Sequence, residues 1–315
     1  MRPAGLEPAT CWLEASRSIQ LSYGRSRLSK LATTGQARCA ITDRLTDITG
    51  VHMLPVVPLL ILLSGAHASA VAPTPGELVV RRAYKLYGGQ WFRNAQFVQR
   101  RTLPLERRVE TWYVSLQPPG LARVDVAPGA TGRAVVYRND SSYSFGKGQL
   151  RARVVDVQPL AVLLHDLHSS PPESTIAMLK KFNFDLTKTH ERMWQGQRVI
   201  VVGARYDEAG PNQFWLEKKR MVLVRLIEQN GADPARPLDA QIGEYEKAGK
   251  GWLEHSVRIF LGGQLTTIDD YSSVAVDGTL EPGLFEPLPY HLPRWVRGAN
   301  DIFGGVPNIA LPGGH

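Results

Sequence analysis

Residues 108–126 read RVETWYVSLQPPGLARVDV. Two runs rich in Val, Trp, Tyr and Leu flank a Pro-Pro-Gly turn, which is the pattern of an antiparallel hairpin with strands over 108–117 and 121–126. Apolar residues fall on both alternations of the first strand: Trp112, Val114 and Leu116 on one side, Val109 and Tyr113 on the other. One face therefore has a core to bury, and the other can lie under a loop.

The same pattern runs outward in both directions. Further strands are expected near 91–101, 133–138, 141–146 and 149–156, and then near 182–193, 197–204, 213–217, 220–229, 239–247, 251–260 and 263–276. A mainly helical segment over 159–181 separates the two sets, as LAVLLHDL and PESTIAMLKK split by Ser169-Ser170-Pro171-Pro172. Ahead of the strands, Thr74-Pro75-Gly76-Glu77 supplies an N-cap, a first-turn proline and a capping-box glutamate, and Gly88-Gly89 ends that helix. Val79, Ala83, Leu86 and Tyr87 are its expected apolar stripe. Hairpin-spaced strands with few helices define a mainly β, α+β chain. The expected architecture is a strongly curved antiparallel sheet wrapped around the helices, which the family resemblance given below makes an open half-barrel, with a two-sheet sandwich as the other arrangement.

Met53 to Ala70, MLPVVPLLILLSGAHASA, has the form of a cleaved secretory signal. Leu54 to Leu63 holds no polar residue, and Ala68-Ser69-Ala70 is a small-x-small cleavage site, so Val71 would open the mature protein. The apolar run is shorter than the roughly 20 residues of a membrane span. No Cys follows it to accept a lipid anchor, so the expected destination is the periplasm. Residues 1–52 have no sustained period and resemble the peptide made when a stable-RNA gene is translated; a disordered leader is the other reading.

The chain has 315 residues and a formal charge of +8. Seven Lys/Arg and four Asp/Glu precede Val71, leaving 30 against 25. That excess is mild and unclustered, which argues against nucleic acid as a partner. Cys11 and Cys39 both precede Val71, so the mature chain has no disulfide framework, thiolate metal site or Cys nucleophile. The expected organisation is a domain over 71–289 and a Pro/Gly-rich tail over 290–315.

Catalytic signatures are sparse. His165 and His168 sit three apart and could ligate a metal with Glu173 or with His190-Glu191, giving a secreted hydrolase or metal-dependent enzyme; the other reading makes both surface positions on a helix. No G-x-S-x-G elbow occurs. Gly146-Lys147-Gly148 reads as a β-turn, and Asp269-Asp270 as a solvated strand or a cap. The doublets Arg81-Arg82, Arg100-Arg101 and Arg107-Arg108 are mostly exposed on this reading, but any inward Arg needs a carboxylate or an anionic ligand.

The order of elements resembles the LolA/LolB-like lipoprotein carrier fold, and bacterial outer-membrane lipoprotein-sorting proteins in particular. NAQFVQR (94–100), VSLQPPGLARVDV (114–126), QGQRVIVVGA (195–204), FWLEKKRMVLVRLIE (214–228) and DDYSSVAVDGTLEPGLFEP (269–287) carry the resemblance. Arg123 matches an Arg of that pattern. The resemblance implies a non-enzymatic, cofactor-free monomer in the periplasm that shelters acyl chains of a lipoprotein or lipid, as carrier or sensor, with inner- or outer-membrane proteins as partners. Leu160, Leu163, Leu164, Ile176, Met178 and Leu179 then become candidates for a lid or plug, or for plain core. Phe97 and Trp112 become candidates for an aromatic cavity wall.

Overall fold

The computed structural model describes residues 72–297, apart from 89, 156, 209 and 230–232. The signal segment, the leader and the end of the tail lie outside the described residues.

Helix α1 (Pro75–Tyr87) starts as its sequence dictates. The Thr74 hydroxyl accepts from the Glu77 N–H, the Glu77 carboxylate accepts from the Thr74 N–H, and Gly88 closes the helix in the left-handed region. Val80 and Ala83 form its buried stripe. Leu86, expected in that stripe, is instead 50% exposed, because the helix is rotated to seat Val80.

The strands are β1 (Ala95–Leu103), β2 (Arg108–Gln117), β3 (Leu121–Val126), β4 (Ala134–Arg138), β5 (Ser141–Gly146), β6 (Gln149–Val155), β7 (Thr189–Trp194), β8 (Gln197–Val202), β9 (Gln213–Glu217), β10 (Leu223–Glu228), β11 (Leu238–Gly243), β12 (Glu246–Ala248), β13 (Gly251–Leu253), β14 (Ser256–Leu261) and β15 (Gln264–Val276). Thirteen of them form one curved sheet that does not close, in the order β6-β5-β4-β3-β2-β1-β15-β14-β11-β10-β9-β8-β7, and β12–β13 is a separate hairpin. Every pairing is antiparallel. Two meanders are thus stitched together by the long β15.

Between β6 and β7 the chain forms α2 (Pro159–Leu164), a 3₁₀ turn at Asp166–His168 and α3 (Pro172–Lys181). β6 and β7 are consecutive in sequence but lie at opposite edges, so this insert must cross the sheet. It does so on one face, called the inner face below.

There Val80, Ala83, Val162, Leu163, Leu167, Ile176 and Leu179 pack against Ile200, Val202, Phe214, Leu216, Leu226, Ala240, Ile242 and Val257. A second cluster gathers Trp91, Phe92, Phe97, Val114, Leu116 and Leu253. Tyr245 and Tyr271 touch both clusters.

Three strand expectations are corrected. Residues 91–94 are not ladder: Trp91 and Phe92 turn inward as core anchors and β1 begins at Ala95. Residues 182–188 form a loop whose Phe182, Phe184 and Leu186 are all buried, which reproduces a strand's two-residue period without ladder pairing. The spans 239–247 and 251–260 break at Glu244–Tyr245 and at Glu254–His255, with Glu244 at a φ of 54°.

Candidate functional site

Cross-strand register assigns the side chains of β1–β6 to faces. Phe97 stands opposite Val114, Gln99 opposite Trp112, Val124 opposite Val114, and Val135 opposite Val124. Directly opposed residues share a face, so Phe97, Trp112, Val114, Ala122, Val124, Val135 and Tyr137 line the inner face. Phe97 is 2% exposed and stacks on Tyr271 with ring centroids 4.4 Å apart. Trp112, Ala122, Val124, Val135 and Tyr137 are only half-buried. The inner face therefore grades from filled core beneath the helical insert to a partly open apolar strip on β2–β4.

A charged rim bounds that strip. Arg101 is bidentate to Asp269, at 2.8 and 2.7 Å, and its guanidinium lies 3.6 Å from the centre of the Trp112 ring. The Trp112 indole donates to Glu110, which also accepts from Arg108 and Arg133. Asp269 is 3% exposed, so it is not the solvated residue its sequence context suggested. It is the carboxylate that an inward-facing Arg101 requires.

The opposite face of β2–β5 is covered by residues 284–296. Trp295 meets Tyr113 edge-on, and Tyr290 packs on Phe145. Arg123 belongs here. At 1% exposure it is bidentate to Asp125, and it donates to the carbonyls of Leu284 and His291. The start of the expected tail, 290–297, is thus packed onto the sheet.

The lid candidates lie on the two helices of the insert. Leu163 and Leu179 are fully buried, Leu164 and Ile176 nearly so, and Leu160 and Met178 are half-buried against the same cluster. All six belong to the core or pack against it.

The candidate metal trio is not brought together. Glu173 is exposed and pairs with Arg81 at 2.6 Å, while the Nε2 of His168 sits 3.0 Å from the Met221 carbonyl. Among the described residues no group of three or more His, Cys, Asp or Glu is placed to hold a metal ion. Both histidines are buried, not surface positions, at 8% for His165 and 1% for His168. His168 stacks face to face on Trp91, centroids 4.0 Å apart, with Tyr87 edge-on at 5.2 Å. His190 lies apart, its Nδ1 3.0 Å from the Ala204 carbonyl, and Glu191 pairs with Lys218.

Sequence reasoning missed Glu254, which is 1% exposed with its Oε1 3.5 Å from the Nε2 of His165. Burial drives these groups toward their neutral forms. It lowers His165 to about 3, with the neighbouring His168 adding to the shift, and lowers His168 to about 4. It raises Glu254 to about 8. Asp166 is raised to about 6 by burial, against the opposing hydrogen bond from the Gly120 N–H. No local motif marks Glu254; only the fold brings 165 and 254 together.

No family model matches the chain, and no curated protein matches it. Solved structures do resemble it. One is a domain described as an outer membrane lipoprotein-sorting protein from Vibrio parahaemolyticus, with 12% identity, 67% of this chain and 97% of that chain covered, and a TM-score of 0.48. Another is a DUF1329 family protein from Desulfovibrio piger, with 13% identity, 68% and 98% coverage, and a TM-score of 0.45. A third is a LolA superfamily protein from Nitrosomonas europaea, with 12% identity, 68% and 98% coverage, and a TM-score of 0.42.

Proposed function

We propose that this chain is a non-enzymatic carrier or sensor that shelters the acyl chains of a lipid or lipoprotein against the inner face of an open half-barrel. The observation that carries this reading is the half-buried strip of Trp112, Ala122, Val124, Val135 and Tyr137, continuous with the core at Phe97 and Val114. A sheet face that meets only water is expected to alternate to polar residues, and this one does not. Each methylene laid on it contributes roughly 0.8 kcal/mol. Half of a sixteen-carbon chain would therefore contribute on the order of 6 kcal/mol before the cost of ordering the chain.

The helical insert fits the part of a movable lid. It is joined through loops to the two sheet edges, and Leu163, Leu164, Ile176 and Leu179 would trade contact with the sheet for contact with cargo. Half-buried Met178, flexible and polarizable, suits a surface that must repack. The signal-like Met53–Ala70 segment places this activity outside the cytoplasm on our reading. No helix among the described residues is long and apolar enough to cross a membrane. Val71 as the mature N-terminus and a domain over 71–289 belong to the same proposal.

Native mass spectrometry of the purified protein tests the reading. Co-purified lipid, or a stoichiometric mass shift on adding a diacylated peptide, is the expected result. A protein that stays empty at micromolar acylated peptide would overturn it.

A further inference from the structure

The polar groups beneath the insert have no part in acyl binding, yet they occupy its contact with the sheet. His165 caps the C-terminal end of α2, and Glu254 sits in the two-residue link between β13 and β14. Their side chains meet at 3.5 Å inside an apolar enclosure, with Phe92 edge-on to the imidazole at 6.0 Å. This contact ties the middle of the insert to the joint between the two core clusters.

We propose that the His165–Glu254 pair is a pH-sensitive latch that holds the helical insert onto the sheet. The proposal rests on the reading of residues 159–181 as a lid.

Closed, the pair is dry and carries no net charge; open, both groups meet water and regain ordinary behaviour. Other ionisable groups face it from each packed element. The insert supplies His168 and Asp166, α1 supplies Tyr87, and β15 supplies Tyr271, beyond which lies the Arg101–Asp269 pair. Tyr245 precedes β12, with Arg220 over its ring and Glu217 paired to Arg220. His255 turns away to Glu246. Burial keeps Tyr245 and Tyr271 protonated well above their ordinary range, so neither titrates near neutrality.

Below about pH 6.5 the open form binds protons on His165 and His168 that the closed form refuses, but the closed form keeps protons on Glu254 and Asp166 that the open form has lost, so the two sides nearly cancel down to about pH 5. Above that, the closed form keeps a proton on Glu254, up to about 8, that the open form has lost, so rising pH favours opening. Asp166, raised to about 6, acts below this upper window. The latch is therefore tightest between about pH 5 and 6.5. Above that window the Glu254 proton of the closed form is set against the protons that the open form still holds on His165 and His168, so opening rises about sixfold to pH 8, about tenfold in total, and levels off past about 8.

Hydrogen exchange of the ligand-free protein, followed by mass spectrometry on peptides covering 159–181 and corrected for intrinsic exchange, reads the opening directly. We expect about a sixfold rise between pH 6.5 and 8 in the native protein, and in Glu254→Gln no rise but a fall of about threefold. A flat native profile, or a Glu254→Gln profile that rises like the native one, would overturn the latch. If Glu254→Gln fails to fold, the native profile still decides: levelling off near pH 8 supports the latch, and a steady rise past pH 9 contradicts it. Acyl binding without pH-dependent opening would sink the latch and leave the carrier reading standing. PH-dependent opening without acyl binding would do the reverse.

Discussion

A guanidinium cannot sit alone on a buried sheet face, and Arg101 shows how this chain resolves the difficulty. Its register partner across the β1–β15 ladder is Asp269, and the two close into a bidentate pair with the Trp112 ring against the cation. Removing one partner of such a pair leaves an uncompensated buried charge. Arg101→Ala is therefore expected to lower stability by about 3–5 kcal/mol in urea unfolding, while an apolar replacement of both residues should cost far less. A loss under 1 kcal/mol for the single variant would mean the pair is solvated. Gly76 is a second residue whose identity is fixed by packing. A Cβ there would meet the Leu186 carbonyl oxygen at 2.7 Å and the Leu186 Cα at 2.9 Å, both backbone atoms. Gly76→Ala, ordinarily helpful in a helix, should instead destabilise by about 1–3 kcal/mol through overpacking. Neither effect is legible locally. The need for a carboxylate near an inward Arg can be read from sequence, but Asp269 as its supplier depends on a pairing between distant strands.

Elements divide into those whose ends are written in local chemistry and those whose ends depend on distant contacts. Helix α1 is of the first kind, since Thr74, Pro75, Glu77 and Gly88 each satisfy a backbone need by themselves. Thr74→Ala should cost about 1 kcal/mol, measurable as a lower unfolding midpoint at unchanged slope. The hairpin at 108–126 is equally local, and its strands match the residues that suggest them. The loop at 182–188 is of the second kind. Its alternation comes from Phe182, Phe184 and Leu186 packing into the core, and alternation alone cannot tell a packed loop from a ladder strand. The segment after β15 looks loop-like in sequence, yet Arg123 holds it through two carbonyls. Arg123→Ala should release it, so limited proteolysis should cut within 288–297 in the variant well before the native chain is nicked. Equal rates would show that Tyr290 and Trp295 hold the segment unaided.

At the scale of the molecule, the mainly β class and the helical interruption could be read from residue patterns. The strand order could not. That β15 joins two meanders, and that β6 and β7 end at opposite edges, follows from which strands pair, information spread over the whole chain. The same holds for the site. Phe97 and Trp112 were identifiable as aromatic wall candidates, but Ala122, Val124, Val135 and Tyr137 join them only through register. Titrating a fluorescent fatty-acyl probe decides whether this strip is an acyl-binding surface. At pH 6.5 the native protein is expected to bind the probe saturably, one to one, and a Val124→Glu, Val135→Glu variant that retains its β signature to bind it at least tenfold more weakly. Binding that is absent from the native protein, or undiminished in the variant, would contradict that expectation.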